Sequence, residues 1–192
     1  IAEDGEILTR SSSVMQGYYG KPDATQEVMA DGWFHTGDIG RLDEDGFLAI
    51  TDRKKDLIKT AGGKFVAPQK LENLFVTDPY IAQAVVYGDQ QPYCVALIVP
   101  NFTRLTEYAQ SQGLHGVSTK ELVRLPQIQQ FLWSRVHALQ QPLASFEQVK
   151  AIAVLDQEFT QAAGELTPTM KAKRAMIISR HQETLRQLYV KT

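Results

Sequence analysis

Residues 32–64, GWFHTGDIGRLDEDGFLAITDRKKDLIKTAGGK, constrain this chain more than any other stretch. Two runs of strand character, Gly40-Arg41-Leu42 and Phe47-Leu48-Ala49-Ile50, flank the turn-forming Asp43-Glu44-Asp45-Gly46. That pattern predicts a β-hairpin. A Thr36-Gly37-Asp38 turn precedes it, and the charge run Arg53-Lys54-Lys55-Asp56 follows it directly. The stretch closes on the glycine turn Gly62-Gly63-Lys64. The order suggests a nucleotide site, a hinge and a second anion site laid end to end.

The charge balance changes sign inside this stretch. Through Asp52 the chain holds 11 Asp and Glu against Arg10, Lys21 and Arg41, a balance of −8. From Arg53 onward 17 Lys and Arg face 11 acids, a balance of +6. Such a step between adjacent residues marks a domain boundary, dividing residues 1–52 from residues 53–192. The cations of the basic half are dispersed and lack interleaved aromatics, which argues against nucleic acid and for a small polyanionic ligand.

With 192 residues, 43% of them hydrophobic, the composition is that of an ordinary soluble globular protein of one domain or one and a half. No apolar run approaches the roughly 20 residues needed to cross a bilayer, and no signal peptide opens the sequence. The single cysteine, Cys94, excludes a disulfide framework and a cysteine-rich metal site. It lies in an apolar strand pattern and reads as a buried, inert thiol. A cytoplasmic location is expected.

Along the chain, Gly5–Thr9 reads as a strand, followed by short strand patterns separated by turn clusters such as Tyr19-Gly20-Lys21-Pro22-Asp23. Some fifty such residues struggle to bury a sufficient core alone, so residues 1–52 are expected to be the β-rich tail of a larger domain truncated upstream. Beyond Asp52, Asp56–Lys59 and Lys64–Val66 predict short strands around the Gly62-Gly63 turn. Pro68 opens a helix with Leu71, Leu74 and Phe75 on one face. Ile81–Tyr87 and Tyr93–Val99 predict strands. Thr103–Gln112 predicts a helix stopped by Gly113, Ser118 with Glu121 a capping box, and Ile128, Phe131, Leu132, Val136 and Leu139 a longer helix. Ala151–Leu155 returns to strand, and Lys173–Tyr189 predicts one closing helix. Strands interleaved with helices give an α+β fold: a small mixed α/β domain with a helical insertion from about Phe102 to Phe146.

Singly, the chemical motifs are weak. An ionised Asp38 offers two acceptor oxygens suited to a ribose diol, and Gly37 lets a backbone approach a ligand, yet a lone T-G-D is more often a surface turn. His35 reads as a hydrogen-bonded structural histidine. Arg53, Lys54 and Lys55 could contact ribose and phosphate at a cleft mouth, although charge runs usually form solvated faces. Ala61-Gly62-Gly63-Lys64 fails the P-loop pattern because Phe65 replaces the required Ser or Thr. Lys171, in Leu166-Thr167-Pro168-Thr169-Met170-Lys171-Ala172-Lys173-Arg174, could deliver a positive charge to a reacting phosphate or carboxylate; the plain alternative is an exposed lysine in a basic helix start.

Together, Asp38, the DRKKD run, the GGK loop, the VAPQ helix start with Glu72, and the late T-P-T-x-K-x-K-R resemble the adenylate-forming superfamily. Within it, ITDRKKDLIKTAGGKFVAPQ followed by Leu71-Glu72 most resembles bacterial long-chain fatty-acyl-CoA synthetases. The resemblance implies ATP-dependent activation of a fatty acid to an acyl-adenylate, then transfer to CoA, with a small C-terminal domain rotating between the two steps. It implies ribose binding by Asp38 and Arg53, nucleotide or CoA contacts at Lys55 and Lys59, and a hinge at Asp52. It further implies that Gly62, Gly63 and Lys64 line the CoA thiol arm, that Lys171 is the catalytic lysine of adenylation, and that Arg174 occupies the family's following arginine position.

The phosphate loop, the adenine and Mg²⁺ residues and the acyl pocket of the family are absent from this sequence. Mg²⁺ is therefore expected in the full-length enzyme but not on residues of this chain, which is expected to be inactive alone. The implied partners are fatty acid, ATP and CoA with a missing N-terminal domain, without nucleic acid. A lipid substrate makes peripheral contact with the inner membrane compatible with the sequence; oligomeric state and acyl length are not encoded in it. The alternatives are an aryl-CoA ligase, a peptide-synthetase adenylation domain, and a non-catalytic nucleotide-binding module. Retention of Asp38, Arg53 and Lys171 together argues against the last.

Overall fold

The hairpin sequence does what its pattern dictates. In the computed structural model, which describes residues 1–190, the chain forms two compact units, Ile1–Leu57 and the described remainder from Ile58. The first contains β1 (Glu6–Thr9), α1 (Pro22–Val28), β2 (Met29–Ala30), β3 (Trp33–Leu42) and β4 (Leu48–Arg53), then a single 3-10 turn, Lys54–Asp56. The ten-residue β3 organises this unit. One of its edges pairs antiparallel with β1; the other pairs with β2 at its start and with β4 at its end. The β3–β4 hairpin closes through Arg41 opposite Ala49 and Leu42 opposite Leu48, with Asp43 Oδ1 accepting from the Phe47 amide at 2.8 Å across the turn. Helix α1 has no counterpart in the sequence expectations, which end that region as a turn cluster. Pro22, part of the cluster, sits in its first turn, where a missing N–H costs nothing.

The second unit contains β5 (Ile58–Lys59), β6 (Phe65–Val66), α2 (Pro68–Phe75), β7 (Ile81–Tyr87), β8 (Cys94–Pro100), α3 (Phe102–Ser111), α4 (Thr119–Leu122), α5 (Pro126–Gln140), β9 (Val149–Val154), α6 (Arg174–Arg180) and α7 (Gln182–Val190). Its sheet has the order β7-β8-β9. Strand β8, with β7 antiparallel on one edge and β9 parallel on the other, is an unbroken apolar run because both its faces are covered. Alternation along it sends Cys94, Ala96 and Ile98 towards Leu71 and Phe75 of α2 and Val136 of α5. Val95, Leu97 and Val99 face Ile177 of α6 and Leu185 of α7. Each large side chain buried there contributes about 1.5–3 kcal/mol relative to exposure.

Two parallel strands cannot be joined by a tight turn and need a crossover of a dozen residues or more. The helical segment expected between Phe102 and Phe146 is that crossover. It holds its own cluster, Leu105, Ala109, Leu122, Val123, Ile128 and Leu132, and the Ser118–Glu121 capping box is formed. Two local expectations need correction. Asp56 belongs to the 3-10 turn and not to β5. The single closing helix is two, because His181 leaves helical geometry at φ −103°, ψ 20°, with its ring centroid 6.1 Å from that of Phe159.

Candidate functional site

In the first unit the sheet brings two of the expected residues together. Asp38 on β3 lies directly opposite Arg53 on β4, and Arg53 Nε meets Asp38 Oδ1 at 2.8 Å. The side chains are 25% and 57% exposed, so the pair adds at most about 1 kcal/mol to stability. What it offers is an acceptor and a fork of donors side by side on a solvent-facing ladder. Gly37, just before Asp38, has φ 71°, a region that favours glycine.

The group that holds this turn is Glu6, which the sequence reading did not single out. Its side chain is 4% exposed. It accepts from the Gly37 amide at 2.9 Å, lies 3.0 Å from His35 Nδ1, and accepts from Lys54 Nζ at 2.8 Å. Burial pushes its carboxyl up, but the hydrogen bonds from Lys54, His35 and Gly37 outweigh that and hold it below its ordinary value. Lys54 also meets Asp4 at 2.7 Å. Hydrogen bonds to Asp4 and Glu6 raise the Lys54 pKa, and the Lys54 bond lowers that of Asp4. Lys54 is thus spent inside the unit. A lone glutamate opening a strand carries no sequence signal for partners 29 to 48 residues away.

Asp52 is buried, opposite Ile39, with Oδ1 accepting from the Arg53 amide at 2.7 Å. The boundary between the units falls after Leu57, beyond both Asp52 and the exposed Lys55 in the 3-10 turn.

In the second unit Gly62, Gly63 and Lys64 form the turn between β5 and β6. Thr60 clamps it: its amide donates to the Lys64 carbonyl at 2.9 Å, its carbonyl accepts from Gly63 at 2.8 Å, and its hydroxyl accepts from the Lys64 amide at 3.2 Å. Gly63 has φ 73°. A Cβ placed at Gly62 or Gly63 meets no atom within 4 Å, so the tip is bare backbone facing open space. The hairpin is tied to the β7–β8 turn by bonds of 2.9 Å from Ala61 N to Gln91 O and from Gln90 N to Lys59 O. The Lys59 ammonium lies 5.6 Å from the Phe65 ring and that of Lys64 5.7 Å from Phe146, and both rings are largely exposed.

Lys171 ends a second turn. Leu166 and Ala172 bridge its base. Inside, the Thr167 amide donates to the Lys171 carbonyl at 2.8 Å, and the Lys171 amide donates to Thr167 Oγ1 at 3.0 Å. Met170 takes φ 62°. Two carboxylates secure the frame. Buried Glu165 accepts from Arg180 at 2.8 Å, and Glu72 receives Arg174. Lys171 itself is exposed, and among the described residues its ammonium makes no ion pair within 4.0 Å. Arg174 is therefore a structural anchor for the segment that presents Lys171.

Cys94 is buried, and burial pushes its thiol up to about 11, which makes it inert as the sequence suggests. The described residues contain no group of three His, Cys, Asp or Glu side chains able to hold a metal ion. No helix among them is long and apolar enough to cross a membrane.

Comparison with known proteins gives these loops a context. Residues 55–192 match the family model for the AMP-binding enzyme C-terminal domain. The whole chain is 40% identical over 192 residues to a long-chain-fatty-acid–CoA ligase of Mycobacterium tuberculosis, covering 32% of that protein. It is 38% identical over 189 residues, 97% of its length, to human long-chain-fatty-acid–CoA ligase 6, covering 27% of it. The chain thus spans about a third of the length of the curated relatives it matches. Among solved structures, the A-PCP didomain of a carboxylic acid reductase from Segniliparus rugosus in complex with AMP matches 97% of this chain and 25% of that one, with a TM-score of 0.75 at 27% identity. The o-succinylbenzoate coenzyme A synthetase of Bacillus subtilis in complex with AMP matches 88% of this chain and 29% of that one, with a TM-score of 0.56 at 25% identity.

Proposed function

The chain belongs to the AMP-binding enzymes and carries their C-terminal domain, and on that premise we propose that it forms part of an ATP-dependent long-chain fatty acid–CoA ligase. The acyl class follows the two relatives described above, each a long-chain-fatty-acid–CoA ligase. The observation that carries the nucleotide role is the Asp38–Arg53 pair at 2.8 Å. A carboxylate accepts from both hydroxyls of a ribose diol, and a guanidinium beside it offers donors to ribose or phosphate oxygens. By the family resemblance, Lys55 of the first unit and Lys59 of the second are each assigned nucleotide or CoA contacts, and Asp52 the hinge role.

The Gly62-Gly63-Lys64 tip suits passage of the CoA thiol arm, since it has no side-chain bulk and an adjoining ammonium. Lys171 suits the adenylation step. Its turn is closed by its own hydrogen bonds, no described ion pair uses its charge, and negative charge accumulates on carboxylate and phosphate oxygens as they react. Magnesium enters this reading with ATP, and no described residue is assigned to it. The phosphate-loop and acyl-pocket residues that the family resemblance implies are not in this sequence, and the chain spans about a third of its relatives' length, so the activity proposed is that of the full-length protein. Contact with a membrane surface rests only on the chemistry of a lipid substrate.

The test is pyrophosphate release from ATP by the full-length protein, with fatty acids of graded length, aryl acids and amino acids offered in turn, followed by CoA thioester formation. Release and thioester formation with long-chain acids support the proposal. Release with aryl or amino acids alone moves the chain to the corresponding ligase or adenylation domain. No release with any carboxylic acid overturns it.

A further inference from the structure

We propose that Glu6 is a positioning residue for the ribose-binding pair, acting through the two backbone neighbours of that pair. This rests on the reading of Asp38 as the ribose grip. Gly37 precedes Asp38 on β3, and Lys54 follows Arg53 beyond β4. Both are bound to the same carboxylate, at 2.9 and 2.8 Å, so one side chain on β1 fixes both members of a pair that straddles two other strands. The pair cannot do this for itself: it is solvent-facing, and such ion pairs are too weak to impose a geometry.

Strand β1 supplies a second tether beside the first. Thr36 Oγ1 donates to the Ile7 carbonyl at 2.7 Å and accepts from the Asp38 amide at 3.1 Å. The Thr36-Gly37-Asp38 turn is thus gripped at consecutive points by residues 6 and 7, while the Asp38 carboxylate itself is engaged by Arg53. A buried carboxylate is a costly way to fill such a position if filling were its only task, since an apolar side chain of similar volume needs no compensating partners. His35, the remaining partner at 3.0 Å, lies on the same strand and keeps the carboxylate aimed at the turn. Replacement by glutamine keeps an acceptor for Gly37 but sets an amide N–H against the donors of Lys54 and His35.

The experiment compares ATP with deoxy-ATP, which lacks one ribose hydroxyl, in pyrophosphate release by the full-length protein. Glu6→Gln is expected to cut the preference in kcat/KM for ATP over deoxy-ATP by about tenfold, the equivalent of one charge-assisted hydrogen bond. The KM for ATP rises, and those for fatty acid and CoA hold. A purely structural role would lower activity with both nucleotides alike and leave the preference intact, and that result overturns the inference. Asp38→Ala separates the two levels. If it leaves the preference unchanged, the ribose reading itself fails; if it abolishes the preference while Glu6→Gln retains it, only the positioning role fails. Should Glu6→Gln not fold, Lys54→Met decides. It spares the Gly37 bond and is expected to reduce the preference in the same direction by about threefold, and an unchanged preference overturns the inference.

Discussion

Arg174 and Glu72, 102 residues apart in sequence, meet as a fork: Nη1 donates to Oε1 at 2.6 Å and Nη2 to Oε2 at 2.9 Å. Between them they also hold both backbone groups of Val86. Arg174 Nη1 donates to its carbonyl at 2.9 Å, and Glu72 Oε1 accepts from its amide at 2.7 Å. The start of α6 is thereby fastened to α2 and β7 at one point, and Lys171, three residues earlier, inherits a fixed base. Arg174→Ala removes the guanidinium fork from a largely buried carboxylate and is expected to destabilise the second unit by about 2–4 kcal/mol. Arg174→Lys retains the charge but not the planar fork and is expected to recover less than half of that. Chemical denaturation of the three proteins checks both; equal stability of Arg174→Ala and wild type would show the fork to be dispensable.

Lys171→Ala removes a charge that no described ion pair uses. Stability is expected to change by less than about 0.5 kcal/mol, as for a surface substitution. Adenylation is expected to fall by about a hundredfold or more, the scale of losing one preorganised charge at a developing oxyanion. Thioester formation from pre-made acyl-adenylate is expected to be largely spared. Measuring the two half-reactions separately checks the assignment, and equal loss of both removes it.

The two glycines of the β5–β6 turn separate backbone strain from ligand passage. Gly63→Ala forces an L residue to φ 73° and is expected to cost about 1 kcal/mol in stability. Gly62→Ala meets no neighbouring atom within 4 Å and has no positive φ, so its stability is expected to be unchanged. If the tip lines the thiol arm's path, both variants raise the KM for CoA and leave adenylation alone. A Gly62→Ala protein with unaltered CoA kinetics would remove the tip from that path.

The Glu6 cluster makes the first unit sensitive at both ends of the pH scale. The Glu6 and Asp4 carboxyls are held below their ordinary 4.5 and 3.8. Their stabilisation is therefore complete above those values and is lost as pH falls through the lower folded ones. Lys54 is raised above 10.5, so its contribution is complete below that value and is lost as pH rises through the folded one. Hydrogen exchange of the peptide containing Gly37, compared between wild type and Glu6→Gln at matched pH, is expected to show a gap in protection at neutral pH that closes in acid. A gap that persists unchanged below the folded Glu6 pKa would contradict this.

How much was legible in the sequence depended on the range of the signal. The β3–β4 hairpin, the Pro68 helix, the apolar β8 and the Ser118 capping box are written in neighbouring residues, and each is present. The break at His181 carries neither proline nor glycine, so no local signal marks it. Asp38 and Arg53 could be named from motifs, but their pairing required β3 and β4 to register with a shift between Ile39 and Gly40. Glu6 and Glu72 were hardest to read as anchors, because a buried carboxylate is justified only by partners that the fold brings from far along the chain. The role of Arg174 changed for the same reason, from a motif position to the mate of Glu72.

The parallel pairing of β8 with β9 has a consequence for the chain as it leaves the ribosome. The β7–β8 hairpin can close as soon as β8 emerges, since antiparallel neighbours need only a short link. The other edge of β8 then waits for about 50 more residues before β9 exists to cover it. Throughout that interval the apolar sequence Cys-Val-Ala-Leu-Ile-Val is exposed along an unpaired edge, the form of strand most prone to join another chain. A nascent chain stalled between Pro100 and Val149 therefore presents an unpaired apolar strand edge that the finished fold covers with β9.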